Sequence, residues 1–388
     1  MADSPSPKKF LEHLKPRLPQ MLETLHRFVT VESPSLEKAA ADRCCAVIAD
    51  EWKKTGARVE RIAQKHRGDL VRIAHAPTKS RPSGQLLVLG HYDTVYPTGT
   101  LARMPFRVKG GKAYGPGTFD MKAGIVQALF ALLALRQAET SLRKRLVFLW
   151  TSDEEIGSEA SRKIFETEAR RSDAVFVLEP SFGPHGLLKT ARKGVGEAEL
   201  IVHGRASHTG LAPQEGINAI HELARQLARI EKWNDPRRGV TINAGLIEGG
   251  TRTNVIPERA RAVLDLRALR VSDMHSLEER LRDLRPFESG ARLEIAGGFD
   301  RPPLEGKMSA SLFARAQLLA NQMNLSLGEC TVGGGSDGNF TAALGIPTLD
   351  GLGAVGDGAH STREHIIINT MPQRAALLAA LLATTNLS

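Results

Sequence analysis

The chain has 388 residues, 41% hydrophobic and 24% charged, with 52 Lys and Arg against 43 Asp and Glu, a net charge of +9. That length accommodates two or three domains at roughly 150 residues each, and the composition excludes a disordered, collagen-like or disulfide-stapled chain. The basic surplus alone leaves nucleic acid, an anionic membrane and an acidic substrate open as partners.

From Phe10 to about Gly56 apolar residues recur at three- and four-residue steps (Leu11, Leu14, Leu18, Leu22, Leu25, Phe28), then from Ala39 to Trp52, which predicts helices broken at Ser33-Pro34-Ser35. Short apolar runs at Leu86 to Leu89, Leu146 to Trp150 and Ala174 to Leu178 are bounded by turn residues and read as buried strands, with a helix from Ala123 to Arg136 joining the first two. Strand, helix, strand in this order predicts an α/β domain with a mainly parallel sheet. The apolar stretch of that helix is interrupted by Gln127 and falls short of the roughly 18 residues of a membrane span, so a soluble protein is expected.

Past Gly194 the pattern changes to strands at Glu197 to His203, Thr241 to Leu246 and Ala260 to Leu266, around helices at Asn218 to Lys232 and Asp273 to Leu284. This is the signature of an inserted α+β layer. Turn residues at Gly297-Gly298-Phe299 and Arg301-Pro302-Pro303 are expected to end it. A helix from Ser309 to Gln322, a strand at Pro347 to Leu349 and a helix from Met371 to Leu382 then rejoin the first domain. The expected boundaries are 1–193 and 301–388 for the two parts of the first domain and 194–300 for the insertion.

The basic residues are interleaved with acids, as in Arg259, Arg261, Asp265, Arg267, Arg270 and Asp273, which reads as a solvated surface. With only three Tyr and three Trp there is little material for stacking bases. Neither nucleic acid nor membrane is therefore expected as a partner. Cys44 and Cys45 are adjacent and Cys330 is odd, which suits a reducing compartment, and the polar N-terminus has no apolar signal core; a cytoplasmic location follows as the expectation.

Ligands of open parallel sheets bind beyond the carboxyl ends of the strands. Here those ends carry Gly90-His91-Tyr92-Asp93, Thr151-Ser152-Asp153-Glu154-Glu155 and Glu179, while Asp120 stands before the Ala123 helix and His360 follows the last predicted strand. So many acids at one edge repel unless cations sit among them, and two His with several carboxylates form a nitrogen and oxygen set suited to Zn²⁺, with Co²⁺ or Mn²⁺ as substitutes. Asp93, two residues after His91, points the same way and is expected to accept its other ring N–H. Asp120 has two oxygens to bridge two ions. Backbone alternation is expected to send one of Glu154 and Glu155 to the metal and the other to the cavity, giving one ligand and one general base.

In order along the chain, GHYDTVYP, GPGTFDMKAG, TSDEEIGS, VLEP, GRASHTG, GGTRTNVIPERARAVLDLR, GGGSDGNF and GAHS together resemble the M20 metallopeptidases, within them the glutamate carboxypeptidase (carboxypeptidase G2-like) group. The resemblance implies a zinc-exopeptidase-like catalytic domain with an inserted lid and dimerisation domain, two zinc ions and a homodimer. It implies His91 and Glu179 on one zinc, Glu155 and His360 on the other, Asp120 bridging and followed by a cis peptide, Glu154 as general base and Asp93 as orienter. It further implies that His208 polarises the scissile carbonyl, that Asn254 and Arg267 contact the substrate's oxyanion and carboxylate, and that Gly334, Gly335 and Ser336 frame the carboxylate end. The implied reaction is hydrolysis of an amide beside a free carboxylate in a small peptide or N-acyl amino acid.

Other readings compete. Gly333, Gly335 and Gly338 fit a dinucleotide GxGxxG, but too little chain follows for the rest of that fold. Gly334 to Gly338 also fits the nucleophile elbow GxSxG around Ser336, a reading that leaves the carboxylate cluster without a role. A non-catalytic metal-binding protein has no use for the second glutamate of the Glu154-Glu155 pair. Within the enzyme reading the nearest rival is an amino-acid deacylase of the acetylornithine or succinyl-diaminopimelate type.

Overall fold

The computed structural model describes residues 6–77 and 81–385, so residues 1–5 of the polar N-terminus lie outside the described part. It divides into two compact units, the first made of Met1–Thr190, Gly306–Thr331 and Ser336–Ser388, the second of Ala191–Glu305 and Val332–Gly335.

The first unit opens with α1 (Pro7–Leu14), α2 (Leu18–Val29) and α3 (Lys38–Lys53), whose apolar repeat buries Phe10, Leu14, Leu25, Phe28 and Trp52. Two strands that the sequence reading did not anticipate follow, β1 (Arg58–Ile62) and β2 (Leu70–His75). Then come β3 (Gln85–His91), the hairpin of β4 (Arg107–Lys109) and β5 (Lys112–Tyr114), α4 (Ala123–Gln137), β6 (Arg145–Thr151), α5 (Arg162–Ala169), β7 (Ala174–Val177) and β8 (Leu188–Arg192). Every residue of β3 is buried, as a continuous apolar run covered on both faces requires.

In the second unit, β9 (Gly194–His203), α6 (Ala219–Glu231), β10 (Thr241–Gly249), β11 (Arg259–Ala268), α7 (Val271–Arg282) and β12 (Arg292–Arg301) form an antiparallel sheet in the order β10-β11-β9-β12, with the two helices packed on its buried face. Strict alternation along β11 sends Ala260, Ala262, Leu264 and Leu266 into that core, and Ala268 is buried as well. The expected turn at Gly297-Gly298 is instead the interior of β12, paired with β9. Gly297 has φ +80° and a Cβ there would lie 2.3 Å from the Glu197 carbonyl oxygen, so glycine lets the strand hug its neighbour rather than end.

The chain returns to the first unit through α8 (Ala310–Gln322), β13 (Glu329–Val332), α9 (Asp337–Ala343), β14 (Thr348–Leu349), β15 (Gly356–Asp357), β16 (His365–Ile367) and α10 (Met371–Thr384). Its main sheet has the order β1-β2-β6-β3-β7-β14, parallel from β6 to β14 and antiparallel at the β1-β2 edge. Leu86 and Val88 face a core shared with α4 and α10, and the alternate residues Leu87 and Leu89 face Phe165 of α5 and Phe340 of α9. Contrary to the expectation for its apolar stretch, Thr118–Gln137 is long and apolar enough to cross a membrane, yet most of that stretch is buried inside the protein as core.

Candidate metal centre

Because β3, β6 and β7 are parallel, their carboxyl ends emerge on one side, where His91 closes β3, Glu179 follows β7, and Glu154 and Glu155 follow β6. Glu154–Ile156 forms a single 3₁₀ turn, so the two glutamates diverge by the helical step of about 120° rather than by strand alternation. Asp120 lies in the non-helical lead into α4 and its peptide bond to Met121 is cis. His360 lies between β15 and β16 at φ +59°, a left-handed backbone uncommon outside glycine.

Two ligand groups result, each with its donor atoms within 4.8 Å of one another: His91, Asp120 and Glu179, and Asp120, Glu155 and His360. His91 Nε2 is 3.3 Å from Asp120 Oδ1 and 3.3 Å from Glu179 Oε1; His360 Nε2 is 3.0 Å from Glu155 Oε2 and 3.5 Å from Asp120 Oδ2. His91 Nε2 and Asp120 Oδ1 are buried and neither makes a hydrogen bond, although such atoms are ordinarily satisfied. An ion between them would supply the missing partner, and the nitrogen and oxygen donors suit a divalent transition metal, so the residues fit a dinuclear centre.

The electrostatics point the same way. Burial alone would strip the proton from His91, but the carboxylates of Asp120, Asp93 and Glu179 outweigh it and hold the ring's proton affinity well above the ordinary value. Asp120 and Glu155 raise His360 to about 10. Burial pushes Glu155 up to about 7, with His360 opposing and Asp120 reinforcing the rise. Burial would raise Asp120 as well, yet His360 and His91 hold it well below the usual carboxylate range. The cluster demands positive charge, from protons or from cations.

Asp93 is fully buried, and its part is larger than the sequence suggested. The His91 Nδ1 atom lies 3.1 Å from the Asp93 carbonyl oxygen and 3.4 Å from its Oδ1. The same carboxylate accepts the N–H groups of Glu154 (3.3 Å) and Glu155 (3.2 Å) and the Ser35 hydroxyl (2.7 Å). One aspartate thus orients an imidazole and the turn that carries both glutamates. Ser35 carries no sequence signal for this contact, since it lies on a distant loop.

The remaining expected residues divide between the units. In the second unit His208 bridges to Val255, and Thr209 N–H donates to the Asn254 carbonyl oxygen at 3.2 Å, so His208 and Asn254 lie on adjoining segments. His208 Nδ1 accepts the N–H groups of Gly210 (3.1 Å) and Leu211 (3.2 Å), which leaves Nε2 as the nitrogen that carries a hydrogen. Arg267 is held by Asp265 through Nε (2.9 Å) and Nη2 (2.7 Å). The Gly334 and Gly335 carbonyl oxygens each accept from Arg192 Nη1 at 3.1 Å.

Ser336 does not fit the nucleophile reading. It is fully buried as the N-cap of α9, where its hydroxyl donates to Asp350 and accepts the Gly338 N–H, so these partners, and not a histidine base, engage it. Ser336→Ala is expected to keep turnover within about twofold and to lower stability by about 1–3 kcal/mol as the cap and the Asp350 partner are lost. Turnover and urea unfolding test this; a dead but fully stable variant would reinstate the nucleophile reading.

The sequence matches peptidase family M20/M25/M40 over residues 87–384. It is 31% identical over 373 residues to carboxypeptidase G2 of Pseudomonas sp. (strain RS-16), covering 94% of this chain and 89% of the relative, and 27% identical to the succinyl-diaminopimelate desuccinylase of Dechloromonas aromatica (strain RCB), covering 92% and 96%. Among solved structures, aminopeptidase PepT of Bacillus cereus superposes with a TM-score of 0.80 at 22% identity, covering 94% of this chain and 98% of that one, a likeness of fold. With the family match spanning most of its length and a relative above 30% identity covered nearly end to end, the chain belongs to peptidase family M20/M25/M40 and is a metallo-exopeptidase or amidohydrolase of that family.

Proposed function

We propose that the protein is a dinuclear metal-dependent hydrolase that cleaves an amide next to a free carboxylate, releasing a C-terminal glutamate-like amino acid from a small peptide or N-acyl amino acid. The observation that carries this is the sharing of Asp120 between two ligand groups beside a turn that bears a second glutamate. His91, Asp120 and Glu179 would hold one ion and Asp120, Glu155 and His360 the other, with Zn²⁺ favoured and Co²⁺ or Mn²⁺ as substitutes. When bound, such a pair lowers the pKa of a water and polarises the carbonyl.

Glu154 takes the proton of the attacking water and passes it to the leaving amine. His208 donates its Nε2 hydrogen to the developing oxyanion, from the same chain or a second one, a contribution commonly of a few kcal/mol. Asn254 and Arg267 contact the substrate, with Arg267 exchanging Asp265 for a substrate carboxylate. The second unit serves as lid and dimerisation domain; its edge strand β10 exposes Leu246 and Ile247, which supports pairing of two copies there. The three free thiols, two of them buried, suit the cytoplasm.

The carboxypeptidase reading rests on the higher identity to carboxypeptidase G2; the match to a desuccinylase supports an N-deacylase as the second reading. A panel of N-acyl and peptidyl amino acids assayed with Zn²⁺ separates them. Release of C-terminal glutamate from peptides and N-acyl glutamates is expected, with kcat/KM at least tenfold above N-acetyl or N-succinyl diamino acids. The reverse order would replace carboxypeptidase by deacylase.

A further inference from the structure

We infer that Glu364 is a positioning residue that fixes the Asp120 backbone against the His360 loop, and so sets the spacing of the second ligand group; this rests on the dinuclear reading above. Glu364 is fully buried and carries no ligand atom of either group. Its Oε1 accepts the N–H groups of Phe119 (2.8 Å) and Asp120 (3.0 Å), and its Oε2 accepts the Gly117 N–H (3.1 Å) and the Tyr96 hydroxyl (2.7 Å). Four donors on one carboxylate all come from segments distant in sequence.

The need for these contacts lies in the Asp120 segment. Asp120 (φ −112°, ψ 97°) and Met121 (φ −132°, ψ 34°) are not helical, and α4 begins only at Ala123. The Asp120 N–H lacks the ladder that a helix or strand would give, and a buried N–H must find a partner elsewhere. The Glu364 carboxylate is that partner, and charge-assisted bonds of this kind are stronger than neutral ones.

The other half of the argument is where Glu364 itself is held. It follows His360 by four residues, its own N–H donates to the Ser361 carbonyl oxygen (3.1 Å), and Ser361 N–H donates to Gly358 (3.0 Å), so the residue closes the turn that presents the imidazole. The Tyr96 hydroxyl also lies 3.0 Å from the Ser361 carbonyl oxygen. The adjoining strand β16 pairs with β5, His365 opposite Tyr114, one residue before the Gly115 to Asp120 loop begins. A strand pair brings the two loops together and Glu364 locks them just beyond its end, with Asp120 on one side and His360 on the other.

Glu364→Gln keeps the size but aims an NH₂ at two of the donors. Titration with Co²⁺ followed by electronic absorption is the test, with kcat and KM measured alongside. Wild type is expected to take up two ions per chain. The variant is expected to bind one of the two about 10- to 100-fold more weakly with an altered spectrum, and to lose kcat by about the same factor while KM stays within about twofold. Tyr96→Phe, which removes a single donor, should shift both readouts in the same direction by a few-fold, and serves if Glu364→Gln does not fold. Ser309→Ala, which removes a buried hydroxyl bonded to the Thr348 carbonyl oxygen elsewhere in the unit, should lower stability without moving either affinity. Two ions bound with wild-type affinity and spectrum in the folded variants would overturn the positioning role alone. Fewer than two ions in wild type would overturn the dinuclear reading together with it.

Discussion

Glu154→Gln is expected to leave the fold and the uptake of two divalent ions intact and to cut kcat by about 10²–10⁴, or about 3–5 kcal/mol of transition-state stabilisation. The substitution is nearly isosteric and removes only the ability to accept a proton. The turn should stay in place because Asp93 holds it through the main-chain N–H groups of Glu154 and Glu155, which the substitution does not touch. The proposed ion ligands Glu155, Asp120 and His360 are likewise untouched. Turnover, metal content by plasma emission and thermal unfolding distinguish the outcomes. A variant within tenfold of wild-type kcat would remove Glu154 from the base role, and one that has lost an ion would make it a ligand instead.

Chelation is expected to abolish turnover, to be reversed by Zn²⁺ or Co²⁺, and to lower the unfolding temperature by on the order of 10 °C when the ion had been present near a thousand times its Kd. The loss should grow with pH, for two reasons of the same sign. In the metal-free protein His360 is raised from 6.5 to about 10, so the stability gained from its protonated form is present below 6.5 and lost as pH rises towards 10. Glu155 is raised from 4.5 to about 7 by burial, so the metal-free fold weakens as that carboxyl is forced to ionise across this interval. In the loaded protein the ions compete with those protons, and their affinity rises as the protons leave. Scanning fluorimetry with and without chelator at pH 6 and pH 9 should show a wider gap at pH 9. A gap that narrows would mean that these side chains do not hold the ions.

The residues that the sequence made legible are those whose place follows from topology. A parallel sheet delivers whatever follows its strands to one edge, so His91, Glu155 and Glu179 could be grouped without coordinates, and the structure brings them together with Asp120 and His360. The helix predicted from Ala123 to Arg136 is observed from Ala123 to Gln137 because its apolar faces are continuous. What stayed hidden depends on distant main-chain partners. Glu364 meets amides some 245 residues away, and an N–H group has no residue type to betray it. Strand β1, with Arg58, Glu60 and Arg61 exposed at the sheet edge, has no buried apolar face to announce it. Gly297 and Gly298 read as a turn because glycine permits both a turn and a close strand crossing, and only the pairing with β9 decides between them.

The pairing of α4 with α10 in one core also has a meaning for how the chain is made. The α4 helix is apolar on every side, and one of its covering partners is encoded about 230 residues later. At ribosomal rates of about 5–20 residues per second, roughly 10–50 s pass between the emergence of the two. During that interval a segment with the length and apolarity of a membrane span is left partly uncovered in the nascent chain. The interval of synthesis is therefore when α4, mostly buried in the finished molecule, lacks one of its covers.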